Sequence, residues 1–246
     1  MKIENNLFII IQARMTSTRL LGKVMLPLCG KTVLEIMIDR LKSFEKNIII
    51  ATTNDGSEKP IVKLCERRGL KYFRGDTHNV LERYYKAALN FGAKKSDTII
   101  RLTSDCPLID QNILKKMIDE FKIEKCDYLS NTIERTFPRG FDIEIFGFDA
   151  LKKAYENATL DYEKEHVTTY IHTTHKNEFK ICSFKDKDDN SKYRLTLDEE
   201  ADFEAIKEIY RFLKCKTDFS YEELLEVLKK NPHIYEINRH IEQKKV

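Results

Sequence analysis

The amino-acid sequence predicts an α/β protein with a mixed, mostly parallel sheet flanked by helices. Three observations lead there. Continuous Ile-, Val- and Leu-rich runs of strand length recur along the first half, each followed by a segment with helical spacing, which is the mark of βαβ units around a buried parallel sheet. Gly69 and Gly92 stand where two of those helices should stop, as glycines just beyond a helix end do. From about residue 135 the rhythm changes, and alternating or shorter segments replace the regular βα repeat.

Taken in order, LFIIIQ (Leu7–Gln12) precedes the helical TVLEIMIDRLKSF, and NIIIATT (Asn47–Thr53) precedes EKPIVKLCERRG. The short LKYFRG leads into NVLERYYKAALNFG, DTIIRLTSD (Asp97–Asp105) into QNILKKMIDEFKI, and CDYLSNT follows. Beyond residue 135, FDIEIFGF alternates apolar and acidic residues and reads as a half-exposed strand. EKEHVTTYIHTTH reads as a helix, FKICSF and YRLTLD as strands, and three helices near 199–213, 220–230 and 234–243 close the chain. The charged KDKDDNSK stretch is a solvated loop on composition. Length and rhythm together predict a single domain over 1–246, with a smaller arm around 131–185.

Composition narrows the function. Of 246 residues, 41% are hydrophobic, enough for a sizeable core, and 43 basic against 40 acidic residues leave a net charge of +3. The charges are interspersed, so nucleic acid is not an expected partner. No run approaches the ~20 apolar residues of a membrane span, so no membrane partner and a cytoplasmic location are expected. The six cysteines are scattered without a C-x-x-C pair, and neither a zinc site nor a disulfide framework is expected from their spacing.

The chemistry concentrates after the first strand. A loop of only turning duty would not need Arg14, Arg19 and Lys23 beside hydroxyls at Thr16, Ser17 and Thr18. In open α/β sheets ligands bind beyond the carboxyl ends of the strands, and a strand-to-helix loop can cradle phosphate with its N–H groups. Arg14 supplies a planar fork and Lys23 a mobile point charge. Neither a P-loop nor G-x-G-x-x-G is present, and on residue types alone a solvated polar loop fits equally well.

IIIQARMTSTRLLGKVMLPLCGKTVLE resembles the nucleotide-binding loop of the cytidylyltransferase family that includes spore-coat polysaccharide biosynthesis protein F, and more distantly the Kdo and sialic acid cytidylyltransferases. The family's Q-A-R-x-G-S-T-R-L-P-G-K is kept at Gln12, Ala13, Arg14, Ser17, Thr18, Arg19, Leu20, Gly22 and Lys23, with departures at Thr16 and Leu21. The resemblance continues through most of the chain. It implies the glycosyltransferase-A-like nucleotidyltransferase fold, with CTP as substrate, Mg²⁺ as cofactor and pyrophosphate as product.

Residue by residue, it implies Arg14, Lys23 and Asp105 as catalytic. Gln12, Ala13, Ser17, Thr52, Asn54, Asp76, Asn79, Arg83 and Thr103 join Arg14 and Lys23 around the nucleotide. Thr53 and Leu81 lie in the same matched stretches. Asp105, in RLTSDCPLID, and Asp198, in YRLTLDEEADFEAI, match metal-binding aspartates. Read without the resemblance, each aspartate serves as well as a turn or helix cap, and Asp202 as a first-turn acid facing the helix dipole. PRGFDIEIF and EKEHVTTYI match the acceptor side, implying Arg139, Asp142, Glu144, His166 and Tyr170, with the last two on one helix face. The expected acceptor is a small anion, a sugar acid or sugar phosphate, and a homodimer interface on the same arm is left as an option. Two other functions fit the pattern less well. A glycosyltransferase of similar fold would carry D-x-D where this chain has SDCP, and a non-catalytic nucleotide-binding module has no need of both aspartates and the loop lysine.

Overall fold

The computed structural model describes residues 6–243. β1 (Leu7–Gln12), β4 (Ile48–Thr53), β5 (Lys71–Gly75) and β6 (Thr98–Thr103) form the parallel half of a seven-stranded sheet in the order β5-β4-β1-β6-β8-β7-β9. The remaining strands are β7 (Tyr128–Ser130), β8 (Glu144–Gly147) and β9 (Ile181–Ser183). β8 runs antiparallel to both β6 and β7, and β9 is parallel to β7. The sheet is therefore mixed and mostly parallel, as the sequence predicts. A two-residue hairpin, β2 (Pro27–Leu28) with β3 (Lys31–Thr32), stands apart.

The strand pleat divides the core. Ile9 and Ile11 face one side with Ile50, Ile100 and Leu102, and are covered by α1 (Val33–Arg40), α2 (Lys59–Arg68), α4 (Gln111–Glu124) and α7 (Glu200–Phe212). α8 (Tyr221–Lys230) and α9 (His233–Asn238) complete that layer. Phe8 and Ile10 face the other side with Ile49 and Ile99, under α3 (Val80–Asn90) and α5 (Phe148–Asn157). This three-layer arrangement follows from period-two alternation in strands buried on both faces. Gly69 caps α2 at φ 65°, and Gly92 lies just past α3 at φ 86°.

The changed region departs from the sequence reading in several places. FDIEIFGF becomes only β8, and it is buried rather than half exposed, because it is sandwiched between β6 and β7 and Glu144 pairs across the strands with Arg101. Asp142 precedes the strand. EKEHVTTYIHTTH is not one helix. α6 (Asp161–His166) ends at Val167, whose φ of 59° breaks the spiral, and a π-type turn over Tyr170–Thr174 follows.

YRLTLD forms no strand. Among the described residues it makes one bridge, Arg139 to Arg194, because Leu195 N–H donates to Arg139 O at 2.8 Å while Leu197 N–H donates to Asp105 O at 2.8 Å. The segment thus stitches two loops rather than extending a ladder. Gly140 permits the crossing, since a Cβ there would run into the Leu195 carbonyl. α9 stops at Asn238, short of the expected 243.

The cysteines also depart from expectation. Cys29 is bonded to Cys215 and Cys126 to Cys182, with Cα atoms 5.5 and 6.1 Å apart, while Cys65 and Cys106 remain free and buried. The partners are 186 and 56 residues apart in sequence, so spacing carried no trace of either link. The fold alone brings them together: β7 and β9 pair in register beside Cys126–Cys182.

Candidate active site

The centre of the sheet sets up the site. β1 and β6 end side by side, Gln12 opposite Thr103, and their loops diverge around a cleft of about 540 Å³. The loop after β1 is pinned by Ala13 N–H to Ala51 O (3.1 Å) and closed by Gly22 N–H to Met15 O (3.0 Å). Gly22 adopts φ 64°, which glycine takes without strain, and delivers Lys23 at the start of a short turn. Thr16, a departure from the family pattern that the sequence resembles, is not among the positive-φ residues, so its Cβ costs nothing in backbone strain.

Lys23 is the focus of the charges. Its ammonium donates to Asp105 Oδ2 at 2.8 Å, Asp198 Oδ1 at 2.8 Å and the Leu197 carbonyl at 2.7 Å. Burial works against its charge, but Asp105 and Asp198 outweigh it and hold the amine above its ordinary pKa. For Asp105, burial pushes the carboxyl up, and Lys23 more than reverses this, leaving it below the usual carboxylate value. Arg19 lies 3.0 Å from Asp198 Oδ1, and Arg194 donates to Asp198 Oδ2 at 3.2 Å.

Neither aspartate is a helix cap. Asp110 caps α4, accepting from Asn112 and Ile113 N–H. Asp202 receives the N–H groups of Asp198 and Glu199 at 3.0 Å each at the start of α7. The two carboxylates thus converge on one cation from opposite loops, a donor arrangement that suits a divalent ion. Among the described residues no group of three or more acidic, histidine or cysteine side chains gathers for a metal.

Three residues of the cleft lining carry buried polar atoms with no hydrogen-bond partner among the described residues: Gln12 Oε1, Arg83 Nε and Arg101 Nε. Thr52 Oγ1, near the end of β4 and outside the cleft lining, is a fourth. Leaving such groups unpaired costs about 1–3 kcal/mol each, so a ligand that satisfies them binds with advantage. Arg83 is held by the Asp76 carbonyl at 2.7 Å. A second cleft of about 200 Å³ adjoins the first, with Arg101, Thr103, Asp105 and Asp198 on both and Arg139, Asp142 and Glu144 on its far wall.

Of the sequence-nominated residues, Gln12, Ala13, Arg14, Ser17, Lys23, Arg83, Thr103, Asp105, Asp198 and His166 line the main cleft together. Thr52, Asn54, Asp76 and Asn79 do not. Thr52 is buried, Asn54 exposed, Asp76 accepts from His78 and Asn79 N–H at 2.7 Å, and Asn79 caps α3. Tyr170 lies away from both clefts, stacked on His175 with centroids 4.0 Å apart; the break at Val167 separates it from His166.

Glu144 and Asp142 reach the second cleft with their charges already engaged. Arg101, Tyr128 and Thr168 all bond Glu144, and Arg135 grips Asp142 with two bonds of 2.6 and 2.9 Å. Arg101 is not among the sequence-nominated residues, and its signal in the sequence is an arginine inside the apolar run TIIRLT. Arg19 stands in the β1 loop motif with no role that the sequence specifies, and nothing in the sequence marks Gln243, which accepts from Arg194 at 2.6 Å on the edge of both clefts.

Known proteins can now be set beside this geometry. A family model described as cytidylyltransferase matches residues 8–241. The chain is 34% identical over 237 residues to the spore coat polysaccharide biosynthesis protein SpsF of Bacillus subtilis, covering 93% of this chain and 96% of that one. A solved cytidylyltransferase from Leptospira borgpetersenii serovar Hardjo-bovis superposes with a TM-score of 0.89 at 38% identity, over 98% of this chain and 100% of the other. A CMP:2-keto-3-deoxy-manno-octonic acid synthetase solved with CTP shares the fold, at a TM-score of 0.62 and 15% identity, over 85% and 99% of the two chains. By the extent of these matches, the chain belongs to the cytidylyltransferase family.

Proposed function

We propose that this chain transfers CMP from CTP to a small anionic acceptor, a sugar acid or sugar phosphate, releasing pyrophosphate. The observation that carries this reading is the cleft in which Arg14, Lys23, Arg83 and the unpartnered Gln12 Oε1 meet the paired aspartates Asp105 and Asp198. The acceptor's oxygen attacks the α-phosphorus in line, and the bond to the pyrophosphate oxygen breaks. No side chain forms a covalent intermediate. Positioning and electrostatics therefore supply the rate.

Arg14 and Arg19 face the departing pyrophosphate from the loop, while Lys23 lines the main cleft against Asp105 and Asp198, which border both clefts. The convergence of Asp105 and Asp198 on one cation fits Mg²⁺, and these two carboxylates would hold it. When bound, the ion supplies charge neutralisation on the phosphates. Arg139 is the acceptor's anion contact: among the described residues it forms no ion pair, in contrast to Arg135 and Arg101. The similarity to a spore coat polysaccharide biosynthesis protein supports a place in surface-polysaccharide or glycoconjugate synthesis, with the cytoplasm as its location.

Thermal stabilisation by each of the four nucleoside triphosphates tests the nucleotide, since a ligand that binds only the folded state raises its melting temperature. CTP should give the largest rise. A larger rise with UTP, GTP or ATP overturns the assignment of the base. Pyrophosphate release against a panel of sugar acids and sugar phosphates then identifies the acceptor.

A further inference from the structure

Lys23 is arranged unlike a side chain waiting for a phosphate. An ammonium has three hydrogens to donate, and Asp105, Asp198 and the Leu197 carbonyl take all three at 2.7–2.8 Å. The residue is 9% exposed. Arg14, by contrast, is exposed and forms no ion pair among the described residues. Asp105 gives Oδ2 to Lys23, and Asp198 is committed on both oxygens. Asp198 has Lys23 and Arg19 on Oδ1 and Arg194 on Oδ2. The acidic pair that suits a divalent cation thus already holds a cation from the chain itself.

We propose that Lys23 and the divalent cation compete for Asp105 and Asp198, so that the metal is admitted only as the nucleotide draws Lys23 away. This rests on the nucleotidyl-transfer reading above. The physical basis is like-charge exclusion: a bare dication between the two carboxylates would stand against the ammonium at contact range in a partly buried site, where repulsion is weakly screened. A triphosphate changes the balance because its oxygens offer Lys23 an equivalent set of acceptors. Nucleotide and metal then bind with positive coupling, and each must raise the other's affinity by the same factor.

The local chain allows the exchange. Lys23 is held to the aspartates only through its ammonium, at the end of a flexible four-carbon stem. Its backbone is fixed separately by the turn that Gly22 opens. Lys23 bridges the two acidic side chains, which stand on separate loops. Without nucleotide the lysine keeps the acidic pair neutralised and closed to stray cations.

The test is a titration of nucleotide-free protein with Mn²⁺ alone, the unbound ion being read by its electron paramagnetic resonance signal. Wild type, Lys23→Met and Lys23→Gln are compared. Both variants should bind about one equivalent at least about tenfold more tightly than wild type, as removal of one adjacent positive charge implies. Adding Asp198→Asn to Lys23→Met should abolish that binding. Equal Mn²⁺ affinity in wild type and the Lys23 variants, or no binding by folded variants, overturns the proposal. Tight Mn²⁺ binding by wild type alone does so without any substitution.

A parallel melting experiment with CTP and the wild-type protein separates the two readings. If CTP stabilises the protein but the variants ignore Mn²⁺, the competition fails and the nucleotide reading stands. If the variants take Mn²⁺ while no nucleoside triphosphate stabilises the wild type, the competition stands and the cytidylyl reading fails.

Discussion

The parallel half of the sheet and the arm beyond β6 carry similar charged residues and use them oppositely. On the parallel side, Arg14 forms no ion pair among the described residues, and Gln12 Oε1 and Arg83 Nε are buried without partners at the cleft. Where the arm meets the parallel half, Glu144 on β8 is answered by Arg101 on β6, whose Nε alone stays without a partner among the described residues, and Arg135 holds Asp142 in a two-pronged pair. A buried polar atom left without a partner is costly, so keeping both an acceptor and a donor in this condition at one place points to a ligand that completes them. A charge completed by the chain itself points to architecture. Two residues cross the division: Lys23 is saturated on the ligand side, and Arg139 stands without an ion pair on the structural side.

The sharpest way to break that contrast is Glu144→Ala. It would strand Arg101 in buried surroundings and should cost about 3–5 kcal/mol of stability, the usual penalty for removing one partner of a buried pair. Urea unfolding would show it, and replacing both residues by leucine should recover most of the loss. If the single variant unfolds like wild type and instead weakens acceptor binding, Glu144 belongs to the ligand and the contrast fails.

Acid titration checks the same pair. Burial raises the Glu144 carboxyl, but Arg101 and Thr168 more than offset this and hold it below 4.5. A depressed carboxyl contributes its stability in full above the unfolded value and loses it as pH falls through the folded one. The urea midpoint should therefore hold down to about pH 5 and fall below it, Asp105 adding to the drop from 3.8 downward.

On the ligand side the largest effect should come from Asp198→Asn. Its amide oxygen can still accept from Lys23, so the fold survives, while the lost charge should cut turnover about 10²-fold or more, as removal of a strong electrostatic stabiliser does. Near-normal turnover would reduce Asp198 to a structural partner of Arg194. Arg139→Ala should act more weakly and elsewhere. It should raise the acceptor KM about tenfold, the scale of one charge-assisted contact, and leave CTP binding and melting temperature unchanged. A change confined to CTP would move Arg139 to the nucleotide.

How far the sequence was legible follows the same division. β1, β4, β5 and β6 were visible because buried parallel strands are unbroken apolar runs, and the β1 loop was visible as a contiguous motif. Sites assembled across distance were not. Cys29 and Cys215 are 186 residues apart, and although Arg101 stands out inside an apolar run, nothing local ties it to Glu144 on another strand. The YRLTLD segment has strand composition, yet its hydrogen bonds go to two different loops, which no periodicity records. Val167 at φ 59° breaks the helix read across EKEHVTTYIHTTH, and a β-branched residue gives no hint of a positive φ. Asp105 and Asp198 could be matched to a family pattern, but that Lys23 stands between them is a fact of three-dimensional geometry.

The smallest expected effect concerns a residue the sequence nominates for the nucleotide and the fold employs otherwise. Asn79 begins α3: its Oδ1 accepts from Glu82 N–H at 3.0 Å, and its own N–H donates to Asp76 Oδ1 at 2.7 Å. It lies outside the cleft lining, whereas Val80 and Arg83 on the same helix are part of it. Asn79→Ala should remove a helix cap and about 1 kcal/mol of stability, visible as a melting temperature a few degrees lower. Because α3 also packs against β5 and the second core, the helix should remain in place and Arg83 with it. CTP affinity should change less than about twofold, which corresponds to a few tenths of a kcal/mol. An unchanged melting temperature with a tenfold loss of CTP binding would put Asn79 back among the ligand contacts, and would mean that the cleft extends past the start of α3 when nucleotide is bound.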